Sequence, residues 1–224
     1  VKKFKVNEKV CGLVHGGGYA EYCKAHENHI LAIPKGLNFI EAAGIPETYF
    51  TVWTKLFDIG KIKKNQTLLV HGGSSGIGTT AIQLAKAIKC KVITTVGDKK
   101  KAEFCNSLGA DLTIIYKKED FFKKILAYTK KKGVDIILDM IGKSYFSKNL
   151  QLLNDKGKFI SIAFLSGNEV NLDLSLVLKK RILITGSTLR PRTISEKSKI
   201  AKHVKNFCWP LFEKKTIKPI IYKT

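Results

Sequence analysis

From residue 67 onward, six apolar runs of strand length recur at 67–71, 91–96, 112–115, 134–140, 158–163 and 182–185, with helix-length segments between them. The runs are almost continuously apolar rather than alternating, so strands built from them need cover on both faces. The intervening segments can supply it. Ile77, Ala81, Ile82, Ala85 and Ile88 fall on one face of a helix after the first run. Strands that alternate with amphipathic helices imply an α/β fold with a parallel sheet wound on both sides, a Rossmann-type domain. We place it at 48–224, its last residues leading back toward the preceding domain. Residues 1–47 read differently, as extended runs at 9–14, 19–24 and 29–33 separated by Gly and Pro, the pattern of part of a β-rich domain.

At 224 residues and 44% hydrophobic content the chain can bury a core. It opens on Val1 within a strand-and-turn pattern, so further sequence is expected upstream. No apolar run approaches the roughly 18 to 20 residues that span a bilayer, and no signal-peptide pattern is present. A soluble, cytoplasmic protein without a membrane partner is expected. The five cysteines, Cys11, Cys23, Cys90, Cys105 and Cys208, are odd in number and scattered, which points to a reducing compartment. Cys11, His15, Cys23, His26 and His29 lie close in sequence, but they match no zinc spacing, and no metal is expected. The net charge of +22 comes from lysines in nearly every loop, with only Arg181, Arg190 and Arg192 as arginines. A dispersed lysine excess is unlike the arginine-rich surface of a dedicated nucleic-acid reader.

The first strand runs into a glycine-rich turn, LLVHGGSSGIGTT at 68–80. A triphosphate-binding P-loop requires lysine where Thr79 stands, so that reading fails. Gly72, Gly76 and Gly78 have the spacing of short-chain dehydrogenases, which also need a Tyr-x-x-x-Lys pair. Tyr128 and Lys132 fit that spacing, but in so lysine-rich a chain about one such pair arises by chance. The pair also precedes the fourth strand instead of following later ones. Gly73, Gly76 and Gly78 give G-x-x-G-x-G between strand and helix. That is a variant of the dinucleotide fingerprint, in which glycines permit close approach and the helix start offers free N–H groups to a pyrophosphate.

Five segments in order, GGGYAEY (16–22), AAGIPETYFTVW (42–53), HGGSSGIGTTAIQLAK (71–86), SLGAD (107–111) and YKKEDF (116–121), resemble one family. It is the zeta-crystallin-like quinone oxidoreductase branch of the zinc-free medium-chain dehydrogenase/reductase superfamily. The resemblance implies that residues 1–47 belong to a GroES-like catalytic domain whose amino-terminal part lies upstream, and that the cofactor is NADPH. It places Ser75, Gly76, Ile77 and Gly78 under the pyrophosphate and Gly97 at the adenosine ribose. Lys101 and Tyr116 would hold the 2′-phosphate. Ala163, Phe164, Leu165, Ser166, Ser187, Thr188 and Leu189 would border the nicotinamide, and Thr51 would face its pocket. Asp98 stands where the family usually has serine. A carboxylate there repels phosphate and is the usual mark of NAD preference, while Lys99, Lys100 and Lys101 oppose it. NADPH is expected over NADH on that local positive charge.

Without zinc ligands to polarise an alcohol, the chemistry implied is hydride transfer to an acceptor that is already electrophilic, a quinone or a conjugated carbonyl, in a dry cleft between domains. No residue of this chain is assigned a catalytic role. An alkene or enoyl-thioester reductase would use the same fold and cofactor, and a non-catalytic dinucleotide-binding or RNA-binding protein is the alternative of another class. In the family the strand near 181–186 pairs across a dimer, so a homodimer is expected.

Overall fold

The computed structural model describes residues 2–223. Regular structure begins with two three-residue strands, β1 (Val10–Gly12) and β2 (Ile30–Ala32), paired antiparallel with Cys11 opposite Leu31. Helices α1 (Phe39–Ala43) and α2 (Pro46–Val52) follow, and the chain continues as a π-helical stretch, Trp53–Ile59. Asn38 caps α1 reciprocally with Glu41, and Pro46 opens α2 at a position where no amide is needed. The chain then alternates strictly: β3 (Thr67–His71), α3 (Gly76–Ala87), β4 (Lys91–Val96), α4 (Lys99–Ser107), β5 (Leu112–Ile115), α5 (Phe121–Tyr128), β6 (Val134–Asp139), α6 (Lys143–Leu152), β7 (Leu153–Ser161), α7 (Leu174–Lys180), β8 (Leu183–Gly186) and α8 (Ile194–Glu213).

The six strands from β3 onward form one parallel sheet in the order β5-β4-β3-β6-β7-β8. Strand order reverses between β3 and β6, the switch point of a doubly wound sheet. Successive residues of β3, Leu68, Leu69 and Val70, are at most 1% exposed, so both faces of the sheet are covered. On one side Leu69, Ile93 and Ile137 pack with Phe121, Ile125, Leu150 and Phe159. The helical stripe read from the sequence holds: Ala81, Ile82 and Ala85 of α3 are fully buried. Asp111 of SLGAD joins α3 to β4, accepting from the Val92 amide at 2.7 Å and pairing with Lys86 at 2.8 Å.

The chain separates into two units, one formed by Lys55–Ser187 and the other by the residues up to Thr54 together with those from Thr188 onward. The second of these holds β1, β2, α1, α2 and α8. Within it α8 lies against β2, where the Trp209 indole donates to the Ala32 carbonyl at 3.0 Å, and Tyr49 of α2 meets Phe212 edge-on. The helix opening at Pro46 runs past position 47 without a break, and α8 packs with the amino-terminal elements. The run at 19–24 is not a strand. Tyr19 and Tyr22 stand almost wholly in solvent after Gly16-Gly17-Gly18, and no strand pairs with that segment among the described residues. Strand β7 starts five residues earlier than its apolar run, since Leu153 pairs with Val134 before the register shifts to Lys158 opposite Ile136.

Candidate functional site

The carboxyl ends of the parallel strands bring together most of the residues singled out in the sequence. Chain leaving β3 turns at Gly72, whose φ is +74°, and enters α3 two residues after Ser74. The Ser75 hydroxyl caps α3 by accepting the Gly78 amide at 3.0 Å. Gly76 and Ile77, the first two helical residues, have no preceding turn to accept their N–H groups, which therefore face outward at the positive end of a 12-residue helix. The glycines serve close packing. A Cβ on Gly78 would lie 2.3 Å from the Gly72 carbonyl oxygen and 2.6 Å from that of Gly73, and one on Gly73 would lie 2.0 Å from Thr94 Oγ1. Thr79, at the position of a P-loop lysine, is buried and donates to the Gly76 carbonyl at 3.1 Å. The turn is thus a backbone cradle with open amides, and its donor set fits a diphosphate.

Gly97, Asp98, Lys101 and Tyr116 gather at the ends of β4 and β5. A Cβ on Gly97 would come within 3.4 Å of the Tyr116 hydroxyl. Asp98 caps α4: its Oδ1 accepts the Lys101 amide at 2.9 Å, and its Oδ2 lies 3.5 Å from Lys101 Nζ. That amide, followed by the ammonium charge, holds the carboxyl below its usual range. Asp98 therefore has a structural task as well as a position beside the candidate 2′-phosphate site, and Lys101 is partly engaged by it. The YKKEDF segment contributes Tyr116 and then opens the next helix, since Asp120 caps the start of α5 by accepting from Phe122 and Lys123.

On the other side of the switch point, Ala163, Phe164, Leu165 and Ser166 form the loop after β7. Phe164 and Leu165 are exposed. The Ser166 hydroxyl donates to the Ile141 carbonyl at 2.8 Å and lies 3.0 Å from the Ser144 hydroxyl, while it accepts the Ser144 amide at 2.9 Å. Ser166 thus fastens this loop to the chain leaving β6, reinforced by the Leu165 amide on the Met140 carbonyl and the Ser166 amide on that of Ile141. Ser187 follows β8, and its carbonyl and hydroxyl both accept from Lys55 Nζ, the hydroxyl at 2.9 Å. Lys55 is 3% exposed and belongs to the π-helical stretch. Thr51, Thr188 and Leu189 belong to the other unit, Thr51 on α2 and the latter two ahead of α8. Tyr128 and Lys132 lie near Thr67 and Lys91, at the amino ends of the strands and so at the opposite end from the glycine turn. A role for that pair in chemistry at the turn is excluded by geometry.

The sequence reading missed a buried polar chain at the switch point. His71, the last residue of β3, is fully enclosed, with the rings of Phe121 and Tyr145 edge-on at 5.2 and 5.0 Å. Its Nδ1 lies 3.0 Å from Thr95 Oγ1 and its Nε2 lies 2.8 Å from Asn149 Oδ1. Asn149 Nδ2 donates to Asp139 Oδ1 at 3.2 Å, and Asp139 Oδ2 accepts the Gly142 amide at 2.8 Å. Burial pushes the imidazole down to about 4, against support from Asn149. It pushes the Asp139 carboxyl up to about 6, against the amides of Gly142 and Ile141 and the Asn149 side chain. A histidine closing an otherwise apolar strand was the available signal.

Among the described residues, no group of three or more His, Cys, Asp or Glu is placed to hold a metal ion, and no helix is long and apolar enough to cross a membrane. Residues 76–205 match the family described as zinc-binding dehydrogenase. Human quinone oxidoreductase is 32% identical over 180 residues, covering 80% of this chain and 54% of that protein. Among solved structures, Escherichia coli quinone oxidoreductase complexed with NADPH superposes with a TM-score of 0.77 at 26% identity, covering 87% of this chain and 60% of the other. The apo form of JamJ enoyl reductase gives 0.74 at 28% identity, covering 88% and 58%. The chain spans about half the length of the curated quinone oxidoreductases it matches.

Proposed function

The chain belongs to the zinc-binding dehydrogenase family, within the quinone oxidoreductase branch of the medium-chain dehydrogenase/reductase superfamily, and on that premise we propose that the whole protein is an NADPH-dependent quinone oxidoreductase. Its acceptor is a quinone or a conjugated carbonyl. The observation that carries the reading is the turn at Gly72–Gly78, where Gly76 and Ile77 offer open amides at a helix start beside the switch point. The bound dinucleotide supplies the hydride. This chain's residues hold and orient it: Ser75 to Gly78 at the diphosphate, Gly97, Asp98, Lys101 and Tyr116 at the adenosine ribose and its 2′-phosphate, and the loop from Ala163 to Ser166 with Ser187 at the nicotinamide side. In the domain scheme that goes with this function, the residues up to about 47 belong to a catalytic domain and the sheet-bearing part to a dinucleotide-binding one.

A second reading, an alkene or enoyl-thioester reductase, is favoured by the likeness to an enoyl reductase structure. Turnover of the full-length protein with NADPH against a panel of quinones and enones separates the two. Reduction of quinones, with or without enones, supports the first, and reduction of enoyl thioesters added to that panel with no quinone turnover supports the second. We also propose a homodimer through β8, an edge strand on which Leu183 is exposed and which follows α7, whose Leu174 and Leu178 are 70% and 80% exposed. Sedimentation of the full-length protein as a monomer only would contradict it.

A further inference from the structure

The buried chain Thr95–His71–Asn149–Asp139 touches both ends of the candidate crevice, and its bonding leaves one consistent arrangement of hydrogens. A carboxylate only accepts, so the Asn149 amide must point its Nδ2 at Asp139 and its Oδ1 at His71. Nε2 of His71 must then carry the proton. Nδ1 is left as an acceptor, and the Thr95 hydroxyl donates to it. The ends of this chain are anchored in backbone. The Thr95 carbonyl accepts the amides of both Gly72 and Gly73, each at 3.1 Å, and so seats the pyrophosphate turn on β4. The Asp139 carboxylate accepts the amide of Gly142, whose φ is +83°, and so sets the bend that leads into α6. That bend carries the loop of the nicotinamide side, through the Leu165 amide on Met140, the Ser166 amide on Ile141 and the Lys143 amide on the Gly167 carbonyl.

We propose that His71 is a positioning residue, the centre of a side-chain relay that couples the pyrophosphate turn to the nicotinamide-side loop, so that dinucleotide affinity depends on His71 bridging Thr95 and Asn149 at once. The inference rests on the dinucleotide reading of the turn. Its physical basis is that a satisfied buried network has a single low-energy arrangement, so displacement at one end is resisted at the other. His71 touches no ligand itself.

Two near-isosteric substitutions cut the relay at different points. His71→Asn keeps an acceptor for Thr95 near Nδ1 and loses the bridge to Asn149, whereas His71→Gln reaches Asn149 and gives up the acceptor near Nδ1. The test is titration of the full-length protein with NADPH, followed by cofactor fluorescence, for wild type, both variants, Asn149→Ser and the double variant His71→Asn/Asn149→Ser. A core control, Ile125→Val, reports the effect of lost stability alone. The relay predicts that each single variant weakens binding about tenfold, the effect of one buried hydrogen bond. It also predicts that the double variant is no weaker than the worse single, and that the control binds as wild type. Wild-type affinity in folded His71→Asn, additive losses in the double variant, or an equal loss in the control would each overturn the relay. Failure of folded wild-type protein to bind any nicotinamide dinucleotide would instead overturn the reading of the turn.

Discussion

Replacing His71 with asparagine tests how far the fold depends on a neutral imidazole at the switch point. Burial holds His71 down to about 4 from the usual 6.5. An unfolded chain therefore takes up the histidine proton as pH falls below 6.5, while the folded chain resists until about 4. The stability that comes from keeping this ring neutral is complete above pH 6.5 and is lost as pH falls toward 4, and a gap of that size corresponds to about 3 kcal/mol. Asp139 has the opposite sign. Its folded value is raised to about 6 from 3.8, so the cost of burying its charge is present above pH 6 and is relieved as pH falls toward 3.8. That contribution is present in both proteins and largely cancels in their difference. At pH 7 the variant should be less stable than wild type by about 2 kcal/mol, from the lost hydrogen bond and smaller ring volume. The gap should close near pH 5 and reverse by about 1 kcal/mol at pH 4, when urea unfolding of both proteins is measured at half-unit intervals. A stability difference that does not change with pH would refute the account of His71 as a buried, neutral group.

Gly78→Ala should abolish dinucleotide binding, because the new Cβ would meet the Gly72 and Gly73 carbonyls at 2.3 and 2.6 Å, backbone atoms that move only with the turn itself; calorimetric titration checks it. Ser75→Ala removes the cap on α3 and should lower stability by about 1 kcal/mol, seen as a shift of the urea midpoint with an unchanged slope. Asp98→Ser keeps a helix cap and removes the carboxylate beside the candidate phosphate site. It should raise the ratio of kcat/KM for NADPH over NADH by about tenfold, the size of one lost like-charge contact at the surface.

The parallel sheet was legible where strands are buried on both faces. The bounds of β3, β4 and β5 coincide with the apolar runs at 67–71, 91–96 and 112–115, because each run is followed within a residue by a glycine-rich or charged stretch. Strand β7 was read short, because Asn154 to Gly157 is polar and carries Lys156 at a φ of +58°, the chemistry of a turn rather than of a ladder. The run at 19–24 has strand-like residues and no strand, since alternation gives a ladder only where a neighbour pairs with it. The packing of α8 against β2 was not legible, because periodicity marks a helix without saying against what it packs.

At the candidate site, local signals carried the glycine turn and helix start, where residues three and five apart act together. The network around His71 was out of reach for the same reason in reverse. Its members sit 24 and 78 positions from His71 and meet only through strand order and register. The engagement of Asp98 by Lys101 was likewise hidden within a run of lysines, three of which look alike in sequence while one alone meets the carboxylate through its backbone amide as well as its charge.

The central claim is that backbone amides at the start of α3 hold the diphosphate of a nicotinamide dinucleotide, and amide NMR shifts during titration with NADPH and with NADH test it most directly. The account predicts saturable shifts of the Gly76 and Ile77 amides, large with either cofactor and absent in folded Gly78→Ala. Saturable binding that leaves those two amides unmoved would contradict it.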